Sequence, residues 1–384
     1  MINKSNYIII GSTGRNTGKT EFACRLIDIH SKEKTVIGIK VVAINKNEGS
    51  CPRGGTGCGI CSSLKGDYEI IQEKDRTTKK DTSRMLQSGA TASYLVKVDK
   101  KKVEKGIKAV VKLIPENAFV VVESNSARTA IEPGLFLVIK NLNENTVKPS
   151  CAHVIEFANK VIEFDNKQWD FQPDRIHIKN NSWIIKEKAT AIILAGGKSS
   201  RMGGDKSMLP INGVPMVKHI ADQLEGHFDE ILIGANDKEK YSFLKYPVIS
   251  DRDQNKGPLM GILSCLDASA NKINFITACD IPVMNLRLIH NMINLAAESE
   301  IVMPVSDGEK HEPLYAVYRK SIAKHAEKII KKGGRRIIDL FDHILPRLVD
   351  FNDANWYQNL NYKKDYLDFV EKNNTIECYR KDKD

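Results

Sequence analysis

Several familiar features are missing from this 384-residue chain. No apolar run approaches the ~18 residues a membrane helix needs, which excludes a helical membrane-spanning protein. The opening Met1-Ile-Asn-Lys-Ser-Asn-Tyr-Ile-Ile-Ile10 has no signal-peptide layout, because its apolar run is short and leads directly into a glycine loop. The expected location is therefore cytoplasmic. Basic runs are short, Lys100-Lys101-Lys102 and Arg335-Arg336, with no interleaved aromatics and no recognition motif. They read as solvated faces, so neither nucleic acid nor a membrane is an expected partner. There is no internal repeat of the usual kind, and no histidine or cysteine stands out as a catalytic group. A second Cys-x-x-Cys pair, which would make a strong metal signal beside Cys58 and Cys61, is also absent.

What is present is enough apolar material, 41% of residues, for two cores, in a chain about as long as two domains of ~150 residues. Lys and Arg total 58 against 48 Asp and Glu, a net charge of +10. That excess favours polyanionic partners without separating nucleic acid from phosphorylated small molecules. Of eight cysteines, Cys24, Cys265 and Cys279 lie in apolar periodic segments and read as core residues. Cys51, Cys58 and Cys61 cluster in a glycine-rich loop spanning 45–64. They could supply three of the four ligands of Zn2+ or an iron–sulfur cluster. Cys151, a histidine or a residue of a second subunit are candidates for the fourth ligand, and the alternative is a loop of free thiols.

One pattern occurs twice: an apolar strand, a glycine-rich loop, then a helix. Tyr7–Ile10 runs into Gly-Ser-Thr-Gly-Arg-Asn-Thr-Gly-Lys-Thr, and Ala191–Leu194 runs into a second such loop. Open α/β sheets begin nucleotide sites in this way. Two starts predict two α/β domains in series, residues 1–175 and 188–373. The polar stretch from about Asp165 to Lys188 is the boundary candidate. Further strands are expected at 36–44, 93–98, 119–123 and 135–139, then at 231–235, 248–250, 275–278, 301–304 and 314–318. Helices alternate with them, which predicts largely parallel sheets.

In the first loop, Gly18-Lys19-Thr20 ends a P-loop. Its backbone N–H groups and Lys19 would hold phosphates while Thr20 reaches Mg2+. The full pattern wants a glycine at position 13, where Thr13 stands, flanked by Gly11 and Gly14. Phe119-Val-Val-Val-Glu123 is an apolar strand ending in a carboxylate suited to the magnesium, or an ordinary strand-end acid. With the segment Lys80-Asp81-Thr82-Ser83-Arg84…Gly89-Ala90 and the strand Ile37-Gly-Ile-Lys-Val, these features resemble the molybdopterin-guanine dinucleotide biosynthesis adapter family over about residues 5–140. That resemblance implies a P-loop NTPase-like, GTP-binding domain. The cysteine loop and Thr13 depart from the family pattern.

The second loop, Leu194-Ala-Gly-Gly-Lys-Ser-Ser-Arg-Met-Gly-Gly-Asp-Lys206, places Arg201 and Lys206 where a pyrophosphate leaving group would build charge. It resembles the signature of nucleoside-triphosphate transferases, and within them molybdenum cofactor guanylyltransferase. Asn236, Asp251, Cys279-Asp280-Ile-Pro, Gly334-Arg-Arg and Asn359-Leu-Asn361 fall in the family's order. Tyr362-Lys363 departs from the usual Thr-Pro. The resemblance implies a Rossmann-like nucleotidyltransferase domain that transfers GMP from GTP to molybdenum-molybdopterin with release of pyrophosphate. It further implies GTP contacts from Leu194, Ala195, Gly196, Gly197, Lys206, Asn236, Asp251 and Asp280, catalytic roles for Arg201, Lys206 and Asp280, and an N-terminal domain that assists by binding GTP. Asp280, at a strand end, is the expected Mg2+ ligand, with Asp251 as a helper and a helix cap before Pro282 as the alternative. A phosphate nucleophile needs no strong base, so positioning and electrostatics would carry catalysis. Candidate partners beyond the substrates are molybdoenzyme apoproteins, molybdenum insertion proteins and a second copy through the N-terminal domain. Competing readings are a cytidylyltransferase, a sugar-phosphate nucleotidyltransferase, and a P-loop switch or metallochaperone.

Overall fold

The computed structural model describes residues 1–45, 64, 66–144, 146–196, 205–306, 310–350 and 356–381. Two compact units divide the chain, Met1–Ile185 and Lys186–Asp384.

The first unit runs β1 (Ile2–Ser12), α1 (Lys19–His30), β2 (Val36–Ile44), β3 (Tyr68–Gln72), α2 (Asp81–Gln87), β4 (Ala92–Asp99), α3 (Val103–Val111), β5 (Phe119–Glu123), β6 (Ile131–Asn141), α4 (Pro149–Ala152), β7 (Lys160–Phe164), β8 (Ile176–Lys179) and β9 (Ser182–Ile185). Seven strands form one sheet in the order β3-β4-β2-β5-β1-β6-β7. All neighbours are parallel except the edge strand β3, which pairs antiparallel with β4. The run Tyr7–Ile10 is apolar at every position because β1 is covered on both faces. Ile8 and Ile10 enter one core with Phe22 and Leu26 of α1, while Tyr7 and Ile9 enter the other with Ile107 and Val110 of α3. Each such side chain, fully buried, contributes roughly 1.5–3 kcal/mol.

The division between the units, at Ile185 and Lys186, falls within the boundary stretch expected between Asp165 and Lys188, but most of that stretch is built into the first unit. It holds β8 and β9, an antiparallel hairpin turned by Asn180 and Asn181, both at positive φ. Phe171, Ile176, Trp183 and Ile185 are buried in the first unit's core. Trp183 donates to the Asn6 carbonyl at 2.9 Å and meets Phe119 edge to face at 5.6 Å. Asparagines and charges on the outer face gave the segment its polar look, while the alternating inner positions bury its weight.

The second unit runs β10 (Glu187–Leu194), β11 (Pro210–Ile211), β12 (Val214–Pro215), α5 (Met216–Leu224), β13 (Phe228–Gly234), β14 (Val248–Ile249), α6 (Pro258–Ala268), β15 (Ile273–Ala278), α7 (Leu286–Leu295), β16 (Ile301–Ser306), β17 (Lys310–His311), β18 (Tyr315–Arg319), α8 (Ala323–Lys331), β19 (Arg347–Asp350) and α9 (Lys363–Lys381). Its large sheet is ordered β14-β13-β10-β15-β18-β16-β17, with β19 also paired to β16. From β14 to β15 the pairing is parallel, but β18 is antiparallel to both β15 and β16. The expected largely parallel sheet is therefore mixed here. The return from β16 to β18 passes through β17 and is too short for the helical crossover that a parallel pair requires. Ile193 and Ile192 of β10 face opposite cores. No described helix is long and apolar enough to cross a membrane.

Candidate functional site

Each unit carries a cleft at the carboxyl ends of its central strands, where open α/β sheets place ligands.

In the first unit, β1 ends at Ser12 and the glycine loop turns into α1, whose N-cap Gly18 has φ 68°. The cleft is about 520 Å3 and its lining includes Gly14, Gly18, Lys19, Thr20 and Glu123. Thr13 is buried and is not among the residues held at positive φ, so its backbone does not require the glycine of the full pattern. Glu123, at the end of β5, is 1% exposed and fully engaged. Its Oε1 takes Lys19 Nζ at 3.4 Å and lies against Lys40 Nζ, while Oε2 accepts from the Thr20 hydroxyl at 2.9 Å. Thr20 also reaches Asp81 at 3.3 Å, and Lys40 pairs with Asp81 at 3.0 Å. Burial works to raise the Asp81 carboxyl, but Lys40 and Thr20 hold it below its ordinary value. Burial lowers the Lys19 ammonium. Lys148 donates to the Gly14 carbonyl, and its backbone N–H donates to Thr13 at 2.9 Å. Burial, and then the neighbouring Lys19 and Arg15, push its ammonium down to about 8. Sequence reasoning missed Lys148 and quoted Lys40 and Asp81 only as parts of motifs. Lys40 carries a local signal, a lysine inside an apolar strand. Lys148 has none, being 134 residues from the carbonyl it binds.

Cys51, Cys58 and Cys61 lie outside the described residues. Cys151 is fully buried in the apolar core beside Val138 and Val154. Burial raises its thiol, which is the behaviour of a packed core cysteine.

The second unit's cleft is larger, about 880 Å3. Leu194, Ala195 and Gly196 line it as β10 ends, joined by Lys206, Asn236, Asp251 and Asp280. Gly197 and Arg201 lie outside the described residues. The loop's two described ends are tied by Tyr241, whose hydroxyl donates to the Ala195 carbonyl at 3.0 Å and meets the Ser207 hydroxyl at 2.8 Å. Ala195 and Gly196 also donate their N–H groups to Gly234 of β13. Asn236 and Asp251, beyond the ends of β13 and β14, bond reciprocally: the Asn236 amide donates to the carboxylate at 3.1 Å and its carbonyl accepts the Asp251 N–H at 2.8 Å. Gly257, at φ 82°, opens α6 just ahead of Pro258. A Cβ there would come within 2.9 Å of Arg335, which also lines the cleft.

At the cleft's centre Lys206 Nζ lies 3.3 Å from Asp280 Oδ2 and 3.3 Å from Asn361 Oδ1. Asp280 Oδ1 is buried and has no hydrogen-bond partner among the described residues. An orphaned carboxylate oxygen carries a desolvation cost that a bound cation removes. Together with the hard oxygen chemistry of a carboxylate, it makes Asp280 a fitting magnesium ligand. Among the described residues no three His, Cys, Asp or Glu side chains gather into a full metal cage. A magnesium here would take its remaining ligands from substrate and water. Cys279 also lines the cleft, but burial and then the adjacent Asp280 push its thiol up to about 12, so it is no nucleophile at neutral pH. Tyr241 and Asn361 tie the site together across long sequence separations; Asn361 stood in the motif Asn359-Leu-Asn361, whereas no pattern marked Tyr241.

A family model described as a MobA-like NTP transferase domain matches residues 191–346, within the second unit. A probable molybdenum cofactor guanylyltransferase of Carboxydothermus hydrogenoformans is 35% identical over 165 residues, covering 43% of this chain and 83% of that protein. The molybdenum cofactor guanylyltransferase of Vibrio vulnificus is 32% identical over 183 residues, covering 46% and 93%. Among solved structures, molybdopterin-guanine dinucleotide biosynthesis protein A from Archaeoglobus fulgidus aligns over 48% of this chain and 99% of that one, at 18% identity and a TM-score of 0.43.

Proposed function

Because the chain belongs, through its second unit, to the molybdenum cofactor guanylyltransferases of the MobA-like NTP transferase family, we propose that it transfers GMP from GTP to the phosphate of molybdenum-molybdopterin. The products are the guanine dinucleotide cofactor and pyrophosphate. The first unit binds GTP through its P-loop and assists.

One observation carries the reading beyond the family: a buried carboxylate oxygen of Asp280 with no partner among the described residues, beside an ammonium already fixed by two contacts. Asp280 would hold magnesium, which when bound neutralises phosphate charge as the α-phosphate is attacked. Lys206, pinned between Asp280 and Asn361, needs no reorganisation to meet the departing pyrophosphate, and Arg201 adds a second cation from the same loop. Leu194, Ala195 and Gly196 line the end of the cleft that takes the guanosine, and Gly197 follows them in the sequence of the loop. Asn236 and Asp251, each orienting the other, bound the same pocket. The attacking phosphate is already ionised, so the residues position and exclude water rather than abstract a proton.

In the first unit, Lys19, Lys148 and the loop carrying Gly14 and Gly18 surround the phosphates, with Thr20 and Glu123 beside them. Purified chain with Mg2+, molybdenum-molybdopterin and each labelled triphosphate in turn tests the whole reading. Incorporation of GMP with stoichiometric pyrophosphate is expected. Incorporation of CMP instead would move the chain to the cytidylyltransferases, and no incorporation of any nucleotide would overturn the assignment.

A further inference from the structure

A second cleft of about 480 Å3 adjoins the P-loop cradle of the first unit, at the carboxyl ends of β1, β2 and β5. The two share Arg15, Lys19, Lys40, Glu123 and Lys148 but differ in charge. Among the described residues, the cradle sets five cations against three carboxylates, Glu21, Asp81 and Glu123. The second cleft exchanges Arg84 for Lys100 and keeps Glu123 alone, so five cations face one carboxylate. It is therefore the more positive of the two, and a concave surface of that sign concentrates anions.

Its other wall is apolar, formed by Val41, Val42, Ala43 and Pro149. Its floor is held rigidly. Asn125 accepts the Ser12 N–H at 2.8 Å, and its amide donates to the Ser12 carbonyl at 3.0 Å and to the Ser150 hydroxyl at 3.3 Å. Gly11 makes room for that bridge, since a Cβ there would come within 2.4 Å of the Asn125 oxygen. Lys148 lines both clefts, and the depression of its ammonium reflects burial among cations that a bound anion would relieve.

We propose that this cleft binds a second ligand alongside the nucleotide: a phosphate monoester of a small apolar organic group. The phosphate meets Lys100 and Lys148, and the organic group lies on the wall of Val42, Ala43 and Pro149. The apolar wall is what selects an ester over free phosphate. The proposal rests on reading the neighbouring cradle as a nucleotide site.

The test is calorimetric titration of the full chain with 4-methylumbelliferyl phosphate, with 4-methylumbelliferone and with inorganic phosphate. Each is run with and without saturating Mg2+ and a non-hydrolysable GTP analogue. The signal of interest is the component removed by Lys100→Glu, a change at an exposed residue outside the cradle, and by Ala43→Trp, which fills the apolar wall. The ester should bind in the presence of the analogue and at least about tenfold more tightly than either fragment. Lys100→Glu should weaken the ester about tenfold while leaving the analogue within about twofold. Displacement of the ester by the analogue, equal binding of ester and free phosphate, or indifference to Lys100→Glu would overturn the proposal. If Lys19→Ala removes no equivalent of bound analogue, yet ester affinity still answers to Lys100→Glu, the P-loop reading fails and the second cleft stands.

Discussion

The two clefts are built on the same plan and left in opposite electrostatic states. Both place a carboxylate at the end of a central strand, beside a lysine from a glycine loop. In the first unit Glu123 is saturated: two ammonium groups share one oxygen and a hydroxyl takes the other. In the second unit Asp280 gives one oxygen to Lys206 and leaves the other without a partner among the described residues. A cation entering the first site must displace Lys40 or Thr20, whereas one entering the second finds a vacant valence. The same local design thus yields a site that is neutralised at rest and a site that is poised.

That contrast can be broken at several points. The largest effect is expected in the second unit, where Lys206→Ala or Asp280→Asn should each lower kcat for GMP transfer by about 10²–10³-fold, read as pyrophosphate release. Asp280→Asn should also abolish the magnesium dependence of what remains, and retention of near-native activity would end the idea of a poised carboxylate. Next is Lys19→Ala, which should weaken nucleotide binding to the first unit by roughly 30–100-fold in calorimetry. The described residues lining the second unit's cleft all belong to that unit, and transfer by it should stay within about threefold.

A smaller change follows from Lys148. With its ammonium at about 8, it is charged at pH 7 and neutral by pH 9.5, whereas an ordinary lysine is still mostly charged there. Nucleotide affinity of the first unit should therefore fall about fivefold between those pH values, and Lys148→Met should flatten the profile. Lys40→Met would sharpen the comparison by vacating part of Glu123. The magnesium concentration needed for half-maximal nucleotide binding should drop about threefold in a metal titration. The smallest effect is expected at Cys279, where Cys279→Ser should change transfer by less than about twofold, since the thiol is held neutral. A large loss there would mean that the thiol takes part in the chemistry.

Elements with a strong period are legible in the sequence. The apolar runs at 7–10 and 191–194 are central strands because two-sided burial leaves no polar position. The two glycine loops and the strand-end acids Glu123 and Asp280 were visible for the same reason, being local patterns with a geometric purpose. What escaped was non-local. Lys148 reaches the Gly14 carbonyl across 134 residues, and the contact of Asn361 with Lys206 spans 155, although Asn361 itself stood in a quoted motif. Tyr241 ties the two described ends of the second loop from a short helical turn with no motif of its own. The hairpin at 176–185 was hidden by its polar outer face, and the antiparallel β18 by a connection whose shortness matters only once β16 is placed.

The hairpin also decides where the chain can be divided. Only Lys186 separates the end of β9 from the start of β10. A gene cut at residue 175, where composition suggests a boundary, would strip an indole from the first half and leave Phe119 and His30 facing solvent. The halves should be expressed separately only from a scission at Lys186, and a nick placed ten residues earlier should yield an insoluble amino-terminal fragment.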